Sequence, residues 1–183
     1  MDARISEDPE FSWSGTLFII GGFAVFGLAQ SLVAVARRRL ARRRTLYITL
    51  LDGHDGMSPA VDGGWNATAY VWHLVDLARG WSERWVLVAS VPGSLLAGWD
   101  PDVLAEARNY RALPTVSALW ALTDATDRFV ELSGQLDPDT PFLHGDWGLG
   151  TVADGTRWLA HEFVHHQLDV DERAASAPES GAS

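Results

Sequence analysis

A chain of 183 residues, 47% of them hydrophobic and nine of them tryptophan, can bury one substantial core but is short for two. It has no cysteine, which excludes disulfides, thiolate zinc ribbons, iron–sulfur clusters and a cysteine nucleophile, and leaves histidine and carboxylate as the ligands of any metal site. A formal net charge of −10, with no cluster of cations after residue 44, argues against a nucleic-acid-binding surface.

The charge is unevenly spread: residues 1–44 hold seven arginines against four acids, and the remainder holds seven against twenty. After a polar lead over residues 1–14, residues 15–36 run twenty-two positions without a charge, and six arginines follow within residues 37–44. A membrane-spanning helix needs about 20 such apolar residues. The positive-inside rule then keeps the arginines and everything after them in the cytoplasm. A cleaved signal peptide carries its positive charge before the apolar run, and here it comes after. The expectation is a single-pass anchor at the cell membrane over residues 15–44, its arginine flank meeting anionic headgroups. The alternative is a buried helix of a bundle.

Residues 45–64 read as a linker. Residues 45–51 are a short apolar run that continues the preceding helix or forms a strand, and glycine, proline and aspartate then cluster through Gly64. His54 in this loop reads as an exposed polar residue.

Asn66 is a good N-cap for a long helix over residues 67–90, apolar at positions 70, 74, 77, 81, 85 and 88, and Pro92 and Gly93 end it. His73 lies beside that stripe, and its meaning depends on what faces it. Asp100 followed by Pro101 predicts a short connecting helix. Pro114 opens a third long helix through Ser133, apolar at 116, 119, 122, 129 and 132 and closed by Gly134. Residues 137–150 read as a loop that lays His144 and Trp147 across one end of the bundle. Beyond Arg173 the tail, residues 174–183, is small and polar and is expected to be disordered.

The last helix, from about Thr151 to Asp171, concentrates the chemistry. Between Trp158 and Val170 stand His161, Glu162, His165, His166 and Asp169, with apolar residues at helical spacing between them. Residues four apart share a helix face, so two chelating pairs are open, Glu162 with His166 and His161 with His165. Only one can face inward toward a third ligand, and His73 is the candidate. No Gly-rich phosphate loop, nucleophile elbow or calcium loop is present.

Trp65-Asn-Ala-Thr-Ala-Tyr-Val-Trp-His73-Leu-Val-Asp, then Trp99-Asp-Pro-Asp, then His161-Glu-Phe-Val-His-His166-Gln-Leu-Asp169-Val resemble, in order and separation, the DinB superfamily. That superfamily includes the mycothiol-dependent maleylpyruvate isomerases. The resemblance covers residues 61–172. It implies an all-α, up-down-down-up four-helix bundle binding a divalent ion, usually zinc or nickel, through three protein ligands. In the isomerase branch the last helix reads Glu-x-x-x-His-x-x-Asp, and that frame selects His73, Glu162 and His166 as ligands. His161, His165 and Asp169 become supporting or alternative ones.

Two histidines and a carboxylate leave coordination positions open for water or a thiol. The implied function is a metal-dependent, thiol-linked transferase or isomerase, with a low-molecular-weight thiol such as mycothiol as possible cofactor. The competing reading is a noncatalytic, metal-stabilised interaction module at the membrane face. Expected partners are the membrane through residues 15–44, a small-molecule or thiol ligand and a second copy in a homodimer, with no nucleic acid. The family's first bundle helix must come from the segment before residue 52, so the bundle either borrows the N-terminal helix or is incomplete.

Overall fold

The structure is a computed structural model that describes residues 13–51 and 56–175; the side chains of residues 13–30 and 32 lie outside that description, as does His54. Five helices carry the chain: α1 (Trp13–Leu51), α2 (Ala67–Ser90), the short α3 (Pro101–Arg108), α4 (Thr115–Gln135) and α5 (Val152–Ala175). Strands β1 (Leu95–Leu96), β2 (Pro141–His144) and β3 (Gly148–Thr151) form a small sheet in the order β1-β2-β3.

The bundle is α1, α2, α4 and α5, in which α1 and α2 each pack against both α4 and α5. Its directions follow from side-chain contacts. The Thr68 and Thr115 hydroxyls, at the starts of α2 and α4, are 2.7 Å apart, so these helices run parallel. Arg44 pairs with Asp127 while Arg37 lies against Gly134, so α1 runs antiparallel to α4. Gly155 sits against Trp81 and Trp85 while His166 reaches His73, so α5 runs antiparallel to α2. The order is up-down-down-up. It requires the long crossover from Val91 to Pro114, which α3, β1 and a 3-10 turn at Tyr110–Ala112 fill.

Local signals account for the helix starts. The Asn66 side chain accepts the Ala69 N–H at 2.8 Å, and Asp100 accepts that of Asp102 at 2.9 Å. Helix α5 opens on a reciprocal capping box, in which the Asp154 carboxylate accepts the Thr151 N–H at 3.0 Å and Thr151 Oγ1 accepts the Asp154 N–H at 3.3 Å. The core runs through α2: Leu74, Val75, Ala78, Trp81, Trp85 and Val88 are buried, packed against Leu122 and Phe129 of α4 and Leu159 and Phe163 of α5.

Several expectations are corrected. Of the two alternatives for the first helix, incompleteness is the one ruled out, and the bundle takes in the N-terminal helix: Val33, Ala36, Leu40, Tyr47 and Leu51 of α1 are buried, and the Tyr47 hydroxyl donates to the Phe163 carbonyl at 2.7 Å. Residues 45–51 are therefore the last turns of α1, and the connection to α2 begins after them. The arginine run divides in consequence. Arg37 and Arg44 turn toward α4, while Arg38, Arg39 and Arg42 are exposed. The spanning segment expected over residues 15–36 falls mostly on side chains outside the description; among the described residues no helix is long and apolar enough to cross a membrane.

The architecture is not purely α. Residues expected as loop form the β2–β3 hairpin, turned at Gly148 with φ +81°, and β1 joins β2 in parallel. In α4 the buried stripe is Ala118, Ala121, Leu122, Ala125 and Phe129, with Val116 exposed, because small residues let α4 approach α2 closely. Gly134 does not end that helix but seats Arg37; the helix continues to Gln135. Helix α5 likewise continues two residues beyond Arg173, and the expected tail after Ala175 lies outside the described residues.

Candidate metal centre

Helix α5 turns about 100° per residue, so its buried stripe of Leu159, Phe163 and Val170 leaves two flanks. Glu162, His166 and Asp169 occupy the flank toward α2, where they are half-buried. His161 and His165 occupy the other and are exposed, their rings roughly parallel at 6.0 Å. From α2, His73 enters the same space, fixed on a stretch that is buried almost without a break from Ala67 to Ala78.

One ligand atom from each of His73, Glu162 and His166 lies within 4.8 Å of the other two. His166 Nε2 is 3.5 Å from Glu162 Oε2, and His166 Nδ1 is 2.9 Å from Asp169 Oδ2. With Nδ1 donating to Asp169, the neutral ring presents its Nε2 lone pair toward Glu162 and His73, the arrangement in which a carboxylate orients a metal-binding imidazole. The His73 and His166 rings meet edge to face at 4.9 Å, and Trp65 packs on His73 at 5.2 Å. His165, His166 and Asp169 form a second group within the same distance, but that one lies on the solvent side. His166 and Asp169 are common to it, so His165 adds one exposed ring. Two remaining acids nearby are engaged elsewhere: Asp76 binds Arg108 and Tyr110, and Asp62 binds Arg173.

The electrostatics suit a cation. Burial, with the His166 charge behind it, pushes the His73 imidazole down to about 4, so it is a neutral donor at physiological pH. Burial alone raises the Glu162 carboxyl, but the hydrogen bond and charge of His166, with His73 and His161, outweigh it and hold the group ionised below its ordinary range. Burial lowers His166, but its bonds to Glu162 and Asp169 prevail and lift it above the ordinary value. The His166 imidazole thus stands between two carboxylates, Glu162 at Nε2 and Asp169 at Nδ1. The donor set of two nitrogens and one carboxylate oxygen fits a zinc-like divalent ion.

Beside these three residues opens a cavity of about 290 Å³, walled by Trp65, Leu77, Trp99, Trp147 and Trp158 and also lined by Arg84, His144 and Asp146. Arg84 carries no local sequence signal, and the sequence expectation for His144 is a loop residue. His144 is instead buried at 4% exposure, stacked on Trp147 at 4.1 Å and parallel to Trp81 at 6.2 Å. The alternation of Phe142, His144 and a glycine-rich turn was the available signal, a half-buried hairpin strand that carries every second side chain inward.

No family model matches the sequence, and no curated protein does. Among solved structures the chain is similar to YfiT from Bacillus subtilis, described as a probable metal-dependent hydrolase with an unusual four-helix bundle topology; identity is 19% and the TM-score 0.62, over 80% of this chain and 87% of that one. The likeness shows the four-helix bundle fold alone.

Proposed function

We propose that this protein is a metal-dependent enzyme in which His73, Glu162 and His166 hold a divalent cation, zinc or nickel, at the wall of the tryptophan-lined cavity. The observation that carries the reading is the convergence of those three ligand atoms within 4.8 Å beside open space. A bound divalent cation supplies Lewis acidity that makes water or a thiol nucleophilic at neutral pH. The chain's own residues do the rest. His73 and His166 provide neutral nitrogens, Glu162 provides the single negative charge, Asp169 fixes the His166 tautomer, and the indoles exclude bulk water. Hydrolysis is the reaction favoured, supported by the description of YfiT; thiol-linked transfer, with mycothiol or a similar thiol, is the variant that the DinB resemblance suggests. A noncatalytic module would be served by a closed site, and the adjoining cavity weighs against it.

Metal analysis of the purified protein tests the assignment. Wild type is expected to carry about one equivalent of divalent metal, and His73→Ala and His166→Ala to lose it, since each removes one of only three protein ligands. A wild type without metal, or either variant retaining it in full, sinks the reading.

Attachment to the cell membrane through the apolar N-terminal half of α1 belongs to the same proposal, with the bundle cytoplasmic and exposed Arg38, Arg39 and Arg42 beside the headgroups. Removing residues 1–30, which spares the buried stretch Val33–Leu51, is expected to shift the protein from the membrane fraction to the soluble one. Full-length protein found in the soluble fraction overturns this part alone.

A further inference from the structure

The cavity beside the metal centre holds two hydrogen-bond donors that the ligands do not use. His144 Nδ1 accepts the backbone N–H of Asp146 at 3.2 Å, which places the proton of the neutral ring on Nε2. That Nε2 has no hydrogen-bond partner among the described residues, although the side chain is 4% exposed. Burial, then the charge of Arg84, holds the ring in its neutral form.

Arg84 reaches the cavity from α2. Its guanidinium carbon stands 4.2 Å from the centre of the Trp99 ring and 4.9 Å from that of Trp81, and one N–H donates to the Ala97 carbonyl. Its other N–H groups have no hydrogen-bond partner among the described residues. Trp99 can lie this close to α2 because residue 80 is glycine, where a Cβ would fall inside the indole. Asp146 faces Arg84 electrostatically but is 72% exposed, so solvent screens much of its charge.

Two donors therefore line a space whose largest apolar walls are indoles, with Trp147 and Trp158 5.1 Å apart on one side and the carboxylates of Glu162, in the metal centre, and exposed Asp146 at its edges. Indoles stack on planar bodies, and a guanidinium paired with a neutral N–H matches the oxygens of a carboxylate. We infer that the cavity takes a planar, unsaturated carboxylate, with Arg84 and His144 donating to its oxygens and Trp99, Trp147 and Trp158 covering its faces. The inference rests on the proposed metal-dependent activity in that it names the substrate class of the same cavity.

Three probes separate the contributions: 2-naphthoate, its neutral analogue 2-naphthylmethanol, and the non-planar cyclohexanecarboxylate. Binding to the zinc-loaded full-length protein is followed by tryptophan fluorescence and calorimetry, and zinc content is measured alongside. Loss of a hydrogen bond to a charged group lowers affinity about tenfold or more, so naphthoate is expected to bind at least about tenfold more tightly than its alcohol, and loss of stacking is expected to weaken cyclohexanecarboxylate by about two- to tenfold. Arg84→Gln and His144→Phe are each expected to weaken naphthoate by about the same factor without changing zinc content. His144→Phe keeps the stack on Trp147, and Arg84→Met keeps the aliphatic packing while removing the donors should the glutamine variant fail to fold. Equal affinity for naphthoate and its alcohol, or wild-type affinity in both His144→Phe and the folded Arg84 variant, overturns the inference. Protein that binds zinc but not naphthoate sinks the inference and leaves the metal centre standing; protein that takes naphthoate and no zinc does the reverse.

Discussion

Helix α5 presents two titratable pairs at the same four-residue spacing, one on each side of its buried stripe. Glu162 and His166 meet His73 and Trp65 across a half-buried space, and their ionisation is displaced from ordinary values by burial and by one another. His161 and His165 stack on each other in solvent, and among the described residues no ligand group contains both. Residue type and spacing barely distinguish the two faces. A helix opposite, rather than the pair itself, turns an i,i+4 motif into a site, because chelation needs donors from a second element and a space from which water's competition is reduced.

The largest test of that contrast beyond the ligands is Asp169. If it orients His166 on the inward face, Asp169→Asn lowers metal affinity by about 10- to 100-fold, measured by chelator competition. An unchanged affinity would mean that the His166 tautomer is set otherwise. Next in size is the support common to both faces, the capping box that starts α5. Asp154→Ala is expected to cost about 1 kcal/mol in denaturant unfolding. Burial raises the Asp154 carboxyl, but its bonds from Thr151 and Arg157 prevail and hold it below its ordinary value of 3.8. A carboxyl with a depressed folded pKa stabilises above the unfolded value, and that contribution disappears as pH falls through the folded value. The difference in stability between wild type and Asp154→Ala should therefore be full at neutral pH and shrink below about pH 3.8. The smallest effect belongs to the exposed pair. Replacing His161 and His165 together by alanine should leave metal content at the wild-type level and change stability by no more than about 0.5 kcal/mol, as surface substitutions do. Loss of metal in that double variant would exchange the roles of the two faces.

Legibility in the sequence differed from element to element. The start of α2 at Asn66 and of α3 at Asp100 could be read because a cap involves residues within three positions of each other. His73 and the α5 pairs could be singled out as chemistry-bearing, and the DinB-like frame through Asp169 favoured one pair. Helix α1 was harder. Its apolar run and arginines describe a membrane anchor as well as a bundle helix, and residues 33–51 read as bundle only once Leu40 and Tyr47 are found at 0% exposure. His144 and Arg84 were less legible still, since each matters through a neighbour distant in sequence: Trp81 for His144, and Ala97 and Trp99 for Arg84.

The sequence by itself determined what short-range forces determine: where helices begin, which residues can hold a proton or a cation, and, through the missing cysteines, that any metal site here uses imidazole and carboxylate. The tertiary structure alone decided which side of α5 faces His73, that α1 completes the bundle, and that a hairpin buries His144 under two indoles. Those outcomes depend on burial against elements from 63 to 116 positions apart, as between Trp81 and His144 or Tyr47 and Phe163. Periodicity marks which residues of a helix prefer to be buried, while the partner that buries them is set by how all the helices pack at once.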